Sequence, residues 1–142
     1  RGYFILSQHV ANQYMIPKKS GRIINIASIA GLNGNPPEMQ TLAYNTFKTA
    51  VIGFTRTLAL EWGKYNITVN AICPGFFMTK MAAGLIKCVG GERKAAPAQL
   101  GRLGDDEDLQ WLTLLYGGDA GKHISGQWLS VDGGVSGVLG AA

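Results

Sequence analysis

Arg22-Ile23-Ile24-Asn25-Ile26-Ala27-Ser28 and Ile67-Thr68-Val69-Asn70-Ala71-Ile72-Cys73 are the two stretches that decide the fold. Each is a short run rich in β-branched apolar residues, the pattern of a buried strand. Pro74-Gly75 ends the second one abruptly. Between them, from about Leu42 to Gly63, Phe47, Val51, Phe54 and Leu58 recur at intervals of four, three and four, the period of a helix with one buried face. That face turns either to a sheet or to another subunit. Strand, helix, strand in this order implies an α/β domain with a parallel sheet covered on both sides.

The rest of the chain fits the same alternation. Tyr3 to Met15 reads as a helix that Pro17 closes, and Gly31 to Thr41, with Asn33, Gly34, Asn35, Pro36 and Pro37, reads as a loop. Thr79 to Lys87 reads as a short helix and Gly90 to Gly104 as an irregular, lid-like stretch. Asp105 to Tyr116 is helical, with acidic residues near its start to suit the helix dipole, and Trp128 to Val131 is a last strand. About three strands with flanking helices result. In such sheets ligands bind beyond the carboxyl ends of the strands. Ser28 ends the first strand and Pro74-Gly75 the second, so both fall on one rim, with the Gly31 to Thr41 loop beside it.

Tyr44-Asn45-Thr46-Phe47-Lys48 supplies chemistry for that rim. On a helix, residues four apart share a face, and a neighbouring ammonium favours the ionised form of a phenol. A phenol and an ammonium so placed can move a proton to or from a carbinol oxygen, and the Ser28 hydroxyl can polarise that oxygen. The spacing alone also fits an exposed helix pair, and a serine at a strand end also fits local bonding to the backbone.

Four ordered stretches together resemble the short-chain dehydrogenase/reductase family along essentially the whole chain. Gly21 to Gly31 is similar to its serine strand, Tyr44 to Lys48 to its catalytic helix, and Val69-Asn70-Ala71-Ile72-Cys73-Pro74-Gly75 with Thr79 to its nicotinamide-side motif. Gly101-Arg102-Leu103-Gly104, Ser125-Gly126-Gln127 and Val131-Asp132-Gly133-Gly134 are similar to its carboxyl-terminal end. Members labelled 3-oxoacyl-carrier-protein reductase or gluconate 5-dehydrogenase are similar in wording. The resemblance implies a Rossmann-like, doubly wound sheet and NAD or NADP as cofactor. Tyr44 becomes the acid in carbonyl reduction and the base in alcohol oxidation. Lys48 binds the nicotinamide ribose and holds the tyrosine's pKa down, and Ser28 hydrogen-bonds the substrate oxygen. Pro74, Gly75, the backbone of Phe77 and the side chain of Thr79 line the nicotinamide half of the cofactor.

Family members run to about 250 residues as one domain, against 142 here. The glycine-rich turn that cradles a pyrophosphate is not found, and Arg1-Gly2-Tyr3-Phe4 resembles the middle of the family's fourth helix. Residues 1–142 are therefore read as a single partial NAD(P)-binding domain, the carboxyl-terminal part of an alcohol dehydrogenase or carbonyl reductase, expected to be inactive alone. The competing reading is a non-catalytic remnant that at most associates with other subunits. An extended, epimerase-type member shares the Tyr44–Lys48 spacing but needs a substrate domain for which no room is left. Two departures stand out. Phe47 replaces a small residue and is expected to crowd the site, and Gly117-Gly118 is expected to weaken its helix end.

Composition points the same way. Hydrophobic residues make up 46% and charged ones 15%, typical of a globular chain, and no 18-residue apolar run appears. The net charge of +4 is mild, and its densest cluster, Lys18-Lys19 with Arg22, sits at a turn and reads as solvated rather than as a nucleic-acid patch. Cys73 and Cys88 are too far apart for a paired-cysteine site, and His9 and His123 join no cluster, so no metal is expected. A reduced, cytoplasmic setting is the default. The expected partners are a small alcohol or ketone and other copies of the protein, as a homodimer or homotetramer.

Overall fold

The computed structural model describes residues 1–79 and 98–137. The helix expected from Thr79 to Lys87 lies, past its first residue, outside the described residues, as does the 90–97 part of the lid-like stretch. Ala98 to Gly104 is irregular, as read from the sequence.

Helix α1, Gly2–Val10, runs on through a π-helical turn, Ala11–Met15, into a last α turn, Ile16–Lys18. Pro17 does not close it. A proline fits the first turn of a helix, where its missing N–H has no partner to lose. The widened turn just before it restarts the helix at Ile16, so Pro17 occupies such a position. The helix ends instead at Lys19, whose φ of 48° is left-handed. Strand β1, Gly21–Ile26, follows. It starts one residue before the apolar run and stops two before its end, where Ser28 caps the 3-10 turn Ile29–Gly31. Helix α2, Leu42–Trp62, leads to strand β2, Ile67–Pro74. Helix α3, Asp106–Gly117, precedes strand β3, Trp128–Val131.

The three strands form one parallel sheet in the order β1-β2-β3. Gly21 pairs with Ile67 through to Ile26 with Ile72, and Ala71 pairs with Trp128 through to Pro74 with Val131. Alternate residues of a strand face opposite sides, and β2 uses both. Ile67 and Val69 pack with Leu58 and Ala59 of α2, and Ala71 and Cys73 with its Val51 and Ile52. On the other side Ile72 packs with Leu112 and Tyr116 of α3. β2 is thus the buried centre, and its carboxyl end is carried by packing on both faces.

Buried polar groups fix the register. Asn25 of β1 donates to the Thr55 hydroxyl of α2 at 2.9 Å. The fully buried Asn70 amide donates to the Ile124 carbonyl at 2.7 Å and accepts from the Gln127 N–H at 3.1 Å, tying β2 to the approach of β3. The start of α3 has a reciprocal cap between Asp105 and Asp108, and Arg102 grips Asp108 with two nitrogens at 2.6 and 2.8 Å. At its other end Gly117-Gly118 serves a tight return. A side chain at Gly118 would meet the Leu114 carbonyl at 2.9 Å, and one at Gly121 the Leu115 carbonyl. The helix runs to Gly117, and the glycine pair marks its end. No helix among the described residues is long and apolar enough to cross a membrane.

Candidate active site

Ser28 reaches the rim on a turn clamped to α2. A Cβ placed on Gly31 would meet the backbone carbon and oxygen of Lys48 at 2.7 and 2.8 Å, so the turn lies directly against the helix at the lysine. The Thr49 hydroxyl donates to the Gly31 carbonyl at 3.0 Å and fixes the contact. Ser28 itself is buried, and its Oγ accepts from the Ala30 N–H at 3.2 Å. That is the local backbone bond open to a strand-end serine, and it uses only a lone pair. The hydroxyl proton remains to be donated.

Tyr44 and Lys48 lie on one face of α2, the lysine nitrogen 5.6 Å from the tyrosine ring centroid. Tyr44 is 39% exposed, and among the described residues nothing hydrogen-bonds to its hydroxyl. Lys48 Nζ donates to the Ile26 carbonyl at 2.8 Å, at the end of β1. Burial pulls its ammonium down from the usual lysine range. The loop beside the pair is anchored by Asn45, which donates to the Asn33 carbonyl at 3.0 Å and accepts from Asn35 at 3.3 Å. The expected crowding by Phe47 does not occur. Its ring is 42% exposed and packs edge-on against Tyr3, with centroids 5.8 Å apart.

The carboxyl end of β2 arrives from beneath. The Cys73 thiol is buried there, and burial pushes it up from its usual range against the opposing pull of the Ser28 backbone and the Lys48 ammonium. Pro74 is the last residue of β2, and the Gly75 N–H donates to the Val131 carbonyl at 2.9 Å. A side chain at Gly75 would collide with Asp132, whose Cβ and Cα lie 2.6 and 2.7 Å from the added carbon. Close packing of two strand ends therefore requires that glycine. Beyond it Phe77 bridges to Gly104, and Thr79 is exposed. Ser28, Tyr44 and Lys48 thus come together at the ends of β1 and β2, with the Pro74 to Thr79 segment leading away along the same rim.

Asp132 holds this end of the sheet by electrostatics. Burial pushes its carboxyl up, but bonds from the Ser136 hydroxyl and N–H and from the Gly134 N–H outweigh it and hold the carboxyl below its usual value. Asp108, bonded by Arg102, is lowered to about 2. A carboxyl depressed by folding adds stability above its unfolded pKa and loses it as pH falls through the folded one. The protein should therefore lose stability between about pH 4 and pH 2. Asp132→Asn should flatten that slope in urea titrations at stepped pH, and an unchanged slope would remove Asp132 from the account.

A cleft of about 440 Å³ lined by Phe76, Phe77, Leu100, Arg102 and Asp132 borders the far side of this segment and contains none of Ser28, Tyr44 or Lys48. The residues that sequence reasoning missed are Tyr3, the Ile26 carbonyl and the spacer Gly31. Tyr3 donates to the Ile26 carbonyl at 2.8 Å, the same oxygen that Lys48 uses.

A family model described as enoyl-(acyl carrier protein) reductase matches residues 1–136. The chain belongs to the short-chain dehydrogenase/reductase family. Among its short-chain relatives is the 3-oxoacyl-(acyl-carrier-protein) reductase of Chlamydia muridarum, 42% identical over 123 residues, which cover 86% of this chain and 48% of that protein. Another is the 2-dehydro-3-deoxy-D-gluconate 5-dehydrogenase of Dickeya dadantii, 36% identical, covering 94% of this chain and 52% of that protein. Among solved structures, a gluconate 5-dehydrogenase from Burkholderia cenocepacia in complex with NADP and tartrate superposes with a TM-score of 0.89. It is 29% identical, over 97% of this chain and 53% of the other. The chain spans about half the length of the curated relatives it matches. The parallel three-stranded sheet with flanking helices is the short-chain dehydrogenase version of the Rossmann fold.

Proposed function

We propose that the whole protein is an NAD(P)-dependent oxidoreductase that interconverts a secondary alcohol and a ketone, with residues 1–142 as part of its cofactor-binding domain. The observation that carries this reading is the Tyr44 hydroxyl, exposed and unclaimed among the described residues, one helical turn from the Lys48 ammonium. Ser28 is clamped to that same turn through Gly31.

The donor set suits a nicotinamide cofactor. Lys48 carries three N–H donors that a ribose diol can take up as the lysine loosens its hold on the Ile26 carbonyl. Pro74, Gly75, the Phe77 backbone and Thr79 would line the nicotinamide side. When bound, the cofactor supplies the hydride that reaches the carbonyl carbon. Tyr44 then gives its proton to the carbonyl oxygen as the oxygen gains the electron pair of the broken π bond, and Lys48 stabilises the phenolate left behind. Ser28 donates its hydroxyl proton to the same oxygen and fixes its direction. In oxidation Tyr44 takes the proton back.

The relatives named for 3-oxoacyl and gluconate chemistry support a carbonyl or alcohol substrate. Exposed apolar side chains on α1, the π-helical turn after it and α2, among them Phe4, Leu6, Tyr14 and Leu60, support assembly as a homodimer or homotetramer. Fluorescence titration of the whole protein with NADH and NADPH tests the reading. Saturation in the micromolar range by one of them, with turnover of a ketone, is expected. Absence of any saturable signal would leave association as the only role.

A further inference from the structure

Two donors meet at one acceptor behind the candidate site. The Ile26 carbonyl accepts from Lys48 Nζ and from the Tyr3 hydroxyl, each at 2.8 Å. Tyr3 comes from α1 and Lys48 from α2, and the ring of Tyr3 is held in place by Phe47. Burial, and then repulsion from the nearby Tyr44, raise the Tyr3 phenol above its usual range, so Tyr3 keeps its proton and stays a donor.

We infer that Tyr3 is a positioning residue that eases the transfer of Lys48 from the Ile26 carbonyl to the cofactor. The inference rests on the function proposed above. To bind ribose hydroxyls, the lysine must weaken or give up its bond to Ile26. A carbonyl that gives up a donor loses the net worth of that bond, even at Ile26, which is 45% exposed. With Tyr3 present the oxygen keeps a donor after the lysine leaves. While the lysine is still there, Tyr3 occupies a lone pair of the same oxygen and limits its hold on the ammonium. Both effects lower the cost of releasing Lys48, and both vanish with the Tyr3 hydroxyl.

Tyr3→Phe keeps the ring against Phe47 and deletes only the hydroxyl. In the whole protein it should weaken NAD(P)H binding about three- to tenfold, the worth of one net hydrogen bond, by equilibrium fluorescence titration. The same substitution in a Lys48→Met background should change the Kd by less than about twofold, because no lysine remains to be released. An unchanged Kd for Tyr3→Phe, alongside a weakened one for Lys48→Met, would overturn this inference and leave the proposed function standing. Equal losses in both backgrounds would also overturn it, since they would mean that Tyr3 acts through general packing. If the unaltered protein binds neither NADH nor NADPH, both readings fall.

Discussion

Tyr44→Phe in the whole protein should lower turnover by about 10²-fold or more, the loss typical of removing a general acid–base group, while the Kd for NAD(P)H stays near its original value. The split follows from the geometry. The Tyr44 hydroxyl has no structural bond among the described residues, so its removal breaks nothing in the fold, and the lysine keeps its place at Ile26. Steady-state rates together with cofactor titration of the purified variant make the comparison. Turnover within a few fold of the original would remove Tyr44 from the mechanism.

Gly31→Ala should damage both stability and rate. The backbone at Gly31 is not in the left-handed region, so the requirement there is for space. The added carbon would sit 2.7 Å from the Lys48 carbonyl carbon, 2.8 Å from its oxygen and 3.0 Å from the Thr49 nitrogen, all atoms of a helix that cannot rotate away. Overpacking of this kind costs about 1–3 kcal/mol, readable as a lower urea midpoint. The contact it opens is the one that sets Ser28 against Lys48. A displacement near 1 Å there should cost on the order of 10²-fold in turnover. A variant as stable and as fast as the original would show that the turn is free to shift without consequence.

The sequence carried the framework of this site better than its joints. β2 and α2 announce themselves through a β-branched run and a 3.6-residue period, and Tyr44 and Lys48 share a face by spacing alone. Val51 and Leu58 of the α2 stripe are buried, but Phe47 is half-exposed, since its ring is shared with α1 and not with the sheet. What periodicity cannot convey is a contact between distant segments. Tyr3 and Lys48 lie 23 and 22 residues from Ile26, and no local pattern marks a carbonyl as a shared acceptor. Gly31 read as a loop glycine, although what demands it is the helix backbone facing it. Pro17 and Gly117-Gly118 show the same limit. A proline reads as a stop and a glycine pair as a weak end, yet the widened turn before one and the tight return after the other give each a fitting place.

The central claim is that the rim formed by Ser28, Tyr44 and Lys48 reduces a carbonyl with hydride from a nicotinamide and a proton from Tyr44. Incubating the whole protein with a turned-over ketone and a reduced cofactor carrying deuterium on the transferred face of C4, in ordinary water, tests it most directly by mass spectrometry of the product. The account predicts an alcohol with one deuterium on the carbinol carbon and none on oxygen, formed about 10²-fold or more slowly by Tyr44→Phe. Product without deuterium on that carbon, or formed equally fast by the variant, would contradict it.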